Sequence, residues 1–171
     1  WGRASVLGGG GDRRAFWSAR RRADQAGRGP GCIATGTCAD LASWLVEVPA
    51  YAPGVYECMD WPHVCIESGS VVLFFATSCA DGAEELRYAL ANAPEGPYEK
   101  PERDLLCRDA RVAVRTVQWA GKTLAFFLCR SEAGWHVAGP TAVALGAANR
   151  PCFRFYSGLI SARADPIFET E

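Results

Sequence analysis

Residues 60–79 read DWPHVCIESGSVVLFFATSC. Within them, Val71-Val72-Leu73-Phe74-Phe75 is the most apolar segment of the chain. It is too short to cross a bilayer and rich in β-branched and aromatic residues, which predicts a buried strand. The turn residues Ser68-Gly69-Ser70 in front of it predict a hairpin, with Val64 to Glu67 running out and Val71 to Ala76 running back. His63, one of only two histidines, opens that hairpin. A side chain held on rigid backbone in this way has the placement that a catalytic base requires.

Working outward, 171 residues with 49% hydrophobic content are enough for one domain with a sizeable core. No apolar run reaches membrane-spanning length, and no signal peptide is visible. The first residue is Trp1, so removal of an upstream segment is the expected history. Net charge is -1 but uneven: residues 1–30 carry seven arginines against Asp12 and Asp24. Those residues read as an Arg/Gly-rich arm, with 31–171 as a single domain. Through Arg13, Arg14, Arg20, Arg21 and Arg22 the arm would make weak, sequence-independent contact with RNA or an anionic membrane.

Beyond the hairpin, the pattern predicts both helices and strands. Leu41, Trp44, Leu45 and Val48 share one helical face, with Thr37 or Asp40 as cap. Asp81 and Glu84 form a capping-box spacing before Leu86, Tyr88 and Leu90. Residues 92–104 are polar and Pro-rich, as a surface loop would be. Arg111 to Trp119 and Thr123 to Cys129 read as a second hairpin around Ala120-Gly121-Lys122, and Gly134 to Val137 as a further short strand. Pro151 to Tyr156 is aromatic and core-like. The expected class is therefore α+β, a small antiparallel sheet packed against helices.

Eight cysteines and two histidines make a thiol–imidazole pair the most economical active site. Cys38 stands at an expected helix N-terminus, where backbone amides would lower its pKa, and Asp81 could orient the ring of His63. GTCADLASWL, followed by a histidine and an aspartate, resembles the order in transglutaminase-like thiol folds. The other pairing is His63 with Cys152. Residues 53–76, PGVYECMDWPHVCIESGSVVLFFA, resemble the H-box region of the permuted papain-like (NlpC/P60) folds of the lecithin:retinol acyltransferase and phospholipase/acyltransferase group. Pro53-Gly54, His63, Ile66 and Gly69 carry the match, and Cys152 in AANRPCFRFYSGL stands where that group has its Asn-Cys cysteine, with Pro151 in place of the asparagine. A picornavirus non-structural protein of the 2A type looks like the same fold. The resemblance implies a viral protein of the host cytoplasm, active in RNA replication and partnered by host or viral proteins. It implies acyl transfer in which His63 takes the proton of Cys152 and the thiolate attacks an ester or thioester.

Other readings stay open. His136 could replace His63 as the base, and His63, His136 and Lys122 could together cleave RNA. Cys58 and Cys65 flank His63, but their spacing does not match a zinc knuckle, so no metal or other cofactor is expected. Paired cysteines would instead give a secreted β-rich binding domain without enzymatic activity, using Trp44, Trp61, Trp119 and Trp135 as contacts.

Overall fold

The computed structural model describes residues 4–8, 13–20, 30–39, 43–47, 49–78, 83–108 and 111–155. These form twelve strands in chain order and a single 3-10 turn at Ala147–Asn149. Strands β1 (Ala4–Gly8), β2 (Arg13–Arg20), β3 (Gly31–Cys38) and β4 (Leu45–Val46) make the first sheet. Strands β5 (Asp60–Glu67), β6 (Ser70–Ser78), β7 (Glu84–Ala91) and β8 (Leu105–Arg108) make the second. The third holds β9 (Arg111–Trp119), β10 (Lys122–Ser131), β11 (Gly134–Leu145) and β12 (Pro151–Phe155). Each sheet is an antiparallel meander in which strands neighbour one another in sequence order. The sheets stack in chain order, β1 and β2 against β5, then β5, β6 and β7 against β9. The first strand of every sheet is thus innermost, in the manner of propeller blades.

The turns explain why the hairpins form where they do. Ser68 and Gly69 have φ of 51° and 82°, and Ala120 and Gly121 have 47° and 73°. Two consecutive left-handed residues match the twist of the flanking strands, which favours such two-residue connections.

Sheet 2 lies between two cores. Val71, Leu73 and Phe75 join Phe16, Ile33, Tyr51 and Val64 in the layer against sheet 1. Val72 and Phe74 join Val114, Phe127 and Phe153 in the layer against sheet 3. Successive side chains of a strand point to opposite faces, so a strand covered on both sides must be apolar at every position. Rings fill both layers: Tyr51 and Phe75 are 5.5 Å apart, Phe127 and Phe153 5.0 Å.

The α+β papain-like arrangement is therefore wrong, because the described residues contain no α-helix. The expected helix around Leu41–Val48 is extended where it is described, and Leu45–Val46 is an edge strand on β3. Residues 41, 42 and 48 lie outside the described residues, as do Asp40 and Asp81. The stretch from Glu84 to Leu90 is β7, paired with β6 from Ser78↔Glu84 to Val71↔Ala91. Leu86 and Tyr88 enter one core and Ala89 the other, so an i, i+2 pattern filled on both faces imitated a helical one. Within residues 1–30, β1 and β2 are sheet strands, and Phe16 is buried in the first core. Arg14 pairs with Glu47 and also donates to Thr35 Oγ1. Arg21 and Arg22 lie outside the described residues.

Charge is buried at one place in sheet 2. Arg87 on β7 donates to Asp104 (2.6 Å) and to Glu85 (3.0 Å from Nε), while the Tyr56 hydroxyl donates to Asp104. The Arg87 guanidinium also lies 5.2 Å from the Tyr56 ring centre. This network ties the 92–104 loop to the sheet, and burial with the neighbouring Asp104 raises the Tyr56 pKa.

Candidate functional site

The innermost strands meet at His63. The Thr116 amide on β9 donates to His63 Nε2 at 2.9 Å, with Thr116 Oγ1 2.8 Å from the same nitrogen. An amide can only donate, so Nε2 is the unprotonated nitrogen and the proton sits on Nδ1. Nδ1–H then donates to Ser5 Oγ on β1 at 3.1 Å. One imidazole joins β1, β5 and β9, the first strands of all three sheets. Burial, reinforced by the Arg115 charge, lowers its pKa to about 4. His63 is neutral at pH 7 with both nitrogens engaged, so it is a clasp and has no lone pair to offer a thiol.

The expected pairings are not assembled. Cys152 lies on β12, three strand spacings from β9 and hence about 14 Å away across the sheet. Its Sγ approaches Arg150 O at 3.6 Å instead. Cys38 is on β3, where the register sets it opposite Arg13 and Gly8, whereas Ser5 is level with Phe16 and Thr35. His136 is exposed on β11 opposite Cys129, two strands out from β9. Lys122 opens β10 at the hairpin turn, so the nuclease trio is also dispersed. Burial pushes the Cys65 thiol up to about 12, far from a reactive thiolate. The Cys58 thiol points at Ser78 Oγ, 3.4 Å away. Among the described residues no cluster of three metal-ligating side chains occurs. The Cys/His thiol-hydrolase reading falls on this geometry.

What the first strands present instead is a bulge at the start of β5. Asp60 pairs with Ala76 and His63 with Phe74, so three steps on β5 oppose two on β6. Trp61 takes up the extra residue at φ 54°, a left-handed conformation that is strained for a large side chain. Pro62 lacks an amide donor and is tolerated at such an interruption. Bulges of this kind re-aim side chains, and here Asp60 is exposed and Trp61 half-buried. Glu67, at the other end of β5, is about 23 Å away along the strand. Its carboxylate accepts from Thr123, which in turn accepts from Gln118 at 2.8 Å. Glu85 and Asp104 are occupied by Arg87. Asp60 is exposed at the end where the innermost strands begin, with Glu84 at the same end of sheet 2 two strands away. Sequence reasoning singled out Trp61 as a contact but passed over Asp60. The available signal was Asp-Trp-Pro directly before a strand, a carboxylate and an indole at a place where proline interrupts pairing.

No protein-family model matches the chain, and no curated protein matches it. Solved structures do. Bacillus subtilis levansucrase superposes with a TM-score of 0.68 at 10% identity, over 93% of this chain and 51% of that one. A GH43_1 enzyme from Xanthomonas citri, complexed with xylotriose, gives 0.62 at 14% identity, over 86% and 52%. A thermostable family-43 glycoside hydrolase gives 0.59 at 14%, over 75% and 41%. The chain spans about half the length, or less, of the structures it matches. At these identities the likeness establishes an all-β fold shared with carbohydrate-active enzymes. It overturns the resemblance to the permuted papain-like group, and with it the viral, acyltransferase-like reading.

Proposed function

We propose that this chain supplies part of the saccharide-binding wall of a carbohydrate-active enzyme, with Asp60 and Trp61 as its contact residues. The observation that carries the reading is the bulge that sets a carboxylate and an indole side by side at the start of the innermost central strand. Sugars are recognised by that combination. The indole face packs on the C–H surface of a pyranose or furanose ring, and the carboxylate accepts hydrogen bonds from its hydroxyls. Glycoside cleavage uses two carboxyl groups about 5–9.5 Å apart. Asp60 can be one of them. The fold supports this choice of chemistry, since the matched enzymes include structures bound to xylotriose and, for levansucrase, to sucrose.

The test is titration of the chain with xylotriose and with sucrose, followed by calorimetry and tryptophan fluorescence. Saturable binding of one sugar is expected, weakened at least tenfold by Trp61→Ala and by Asp60→Asn, and unchanged by His136→Ala. Absence of binding to both sugars, or binding that Trp61→Ala leaves intact, overturns the reading.

A further inference from the structure

The bulge that carries Asp60 and Trp61 is bracketed by fixed positions. Before it, Asp60 pairs with Ala76, and Met59 is buried in the core between sheets 1 and 2. A Cβ on Gly31 would lie 2.7 Å from Met59 N and 2.8 Å from Cys58 Cα, so β3 is closed against the chain there. After it, the first residue back in register is His63, opposite Phe74. Pro62, in between, has no amide proton to donate. A large residue stays in a left-handed conformation, as Trp61 does at φ 54°, only where its surroundings over-determine it. Moving the bulge one position further into β5 would relieve Trp61, but it would also turn the His63 side chain to the opposite face of the strand. Both hydrogen bonds of the ring would then be lost, the one accepted from the Thr116 amide at 2.9 Å and the one to Ser5 Oγ at 3.1 Å.

We propose that His63 is a positioning residue of the saccharide site: by tying β5 to β1 and β9 immediately after the bulge, it keeps the extra residue at Trp61 and so holds the indole and the Asp60 carboxylate where a sugar meets them. The role rests on the saccharide reading above, and His63 acts through the backbone without touching the sugar. It makes the site acid-sensitive. A ring protonated at Nε2 has no lone pair for the Thr116 amide, and its charge is opposed by that of Arg115 on β9. The strands packed against the ring add little that titrates in the same range. β1 and β6 carry no ionisable side chain. On β2, Arg14 is paired with Glu47, and Arg13 is level with Gly8, away from Ser5. β11 carries His136, exposed opposite Cys129. On β5 itself, Cys65 stays protonated in acid, Glu67 is held by Thr123 at the far end, and Asp60 precedes the bulge.

Fluorine NMR of the fluorotryptophan-labelled chain tests this, with the Trp61 signal identified among the six tryptophans by Trp61→Phe. At pH 7, His63→Ala should shift that signal and weaken the binding of xylotriose or sucrose about tenfold. His63→Gln should keep both near native, because a glutamine amide oxygen can still accept from the Thr116 amide. The acid arm uses an Asp60→Asn background, so that the carboxylate beside the indole does not report in place of the ring. There, acidification should move the Trp61 signal with a midpoint at about pH 4 while the Trp119 and Trp135 signals stay, and adding His63→Gln should abolish the movement. Circular dichroism checks that each variant is folded, and if His63→Ala is not, His63→Gln and the acid arm decide. A Trp61 signal indifferent to acid, or an acid shift that persists with His63→Gln, overturns the inference. A signal that moves as expected without binding of either sugar overturns the saccharide reading and leaves the control of the bulge by His63 standing.

Discussion

Strands β6 and β10 occupy the same place in adjacent sheets, each the second strand after a tight turn, yet their sequences differ in kind. β6 reads SVVLFFATS and is buried from Val71 to Thr77. β10 reads KTLAFFLCRS, buried from Thr123 to Ala125 and alternating after that, with half-buried Phe126 and Leu128 between buried Ala125, Phe127 and Cys129. Among the described residues, sheet 2 has a neighbouring sheet on each side and sheet 3 has one. In these two strands the continuous apolar run goes with two covers, and the alternating part with one.

The comparison can be broken at its strongest point first. Phe74→Ala on β6 should lower unfolding stability by about 3–5 kcal/mol, since the ring is lost from a closed layer that includes Phe153. Phe126→Ala on β10 should cost less than half of that. Equal losses in urea denaturation would show that the two strands are covered alike. Asp104→Ala should follow at about 3 kcal/mol, because it leaves the Tyr56 hydroxyl and one arm of Arg87 without their acceptor, with Glu85 as the remaining partner of the charge.

His63 sharpens the comparison at the strands all three sheets share. Its folded pKa is lowered to about 4, below the ordinary histidine value, so the unfolded chain binds the proton more readily. Stability contributed by the neutral ring is then fully present above pH 6.5 and is lost as pH falls toward 4, by about 3 kcal/mol in all. Urea midpoints at pH 7 and pH 4.5 should differ by more in the native chain than in His63→Gln, and an unchanged difference would remove His63 from the clasp. The smallest effect belongs to Trp135→Ala, exposed on sheet 3, expected to change stability by no more than about 0.5 kcal/mol.

Much of the middle of the chain was readable residue by residue. Ser68-Gly69 and Ala120-Gly121 marked both central hairpins, because two-residue turns depend on local backbone preference alone. Glu84 to Leu90 was read as a helix since a strand filled on both faces loses its alternation, and only β6 beside it reveals the true period. Leu45–Val46 was misread because its pairing partner, β3, is set by contact and not by local spacing. At the candidate site, Trp61 was visible as a potential contact. His63 was noticed for its identity and given the wrong task, since its tautomer and charge follow from Ser5 and Thr116, 58 and 53 residues away in the chain.

The amino-acid order alone determined the hairpins and the buried strand at their centre, which depend on neighbours within a few positions. Tertiary structure decided which faces are covered, that His63 stays apart from Cys152 and Cys38, and that Asp60 and Trp61 are brought to the start of an innermost strand. Those outcomes rest on pairing register and sheet stacking, which are summed over distant residues and leave no local trace.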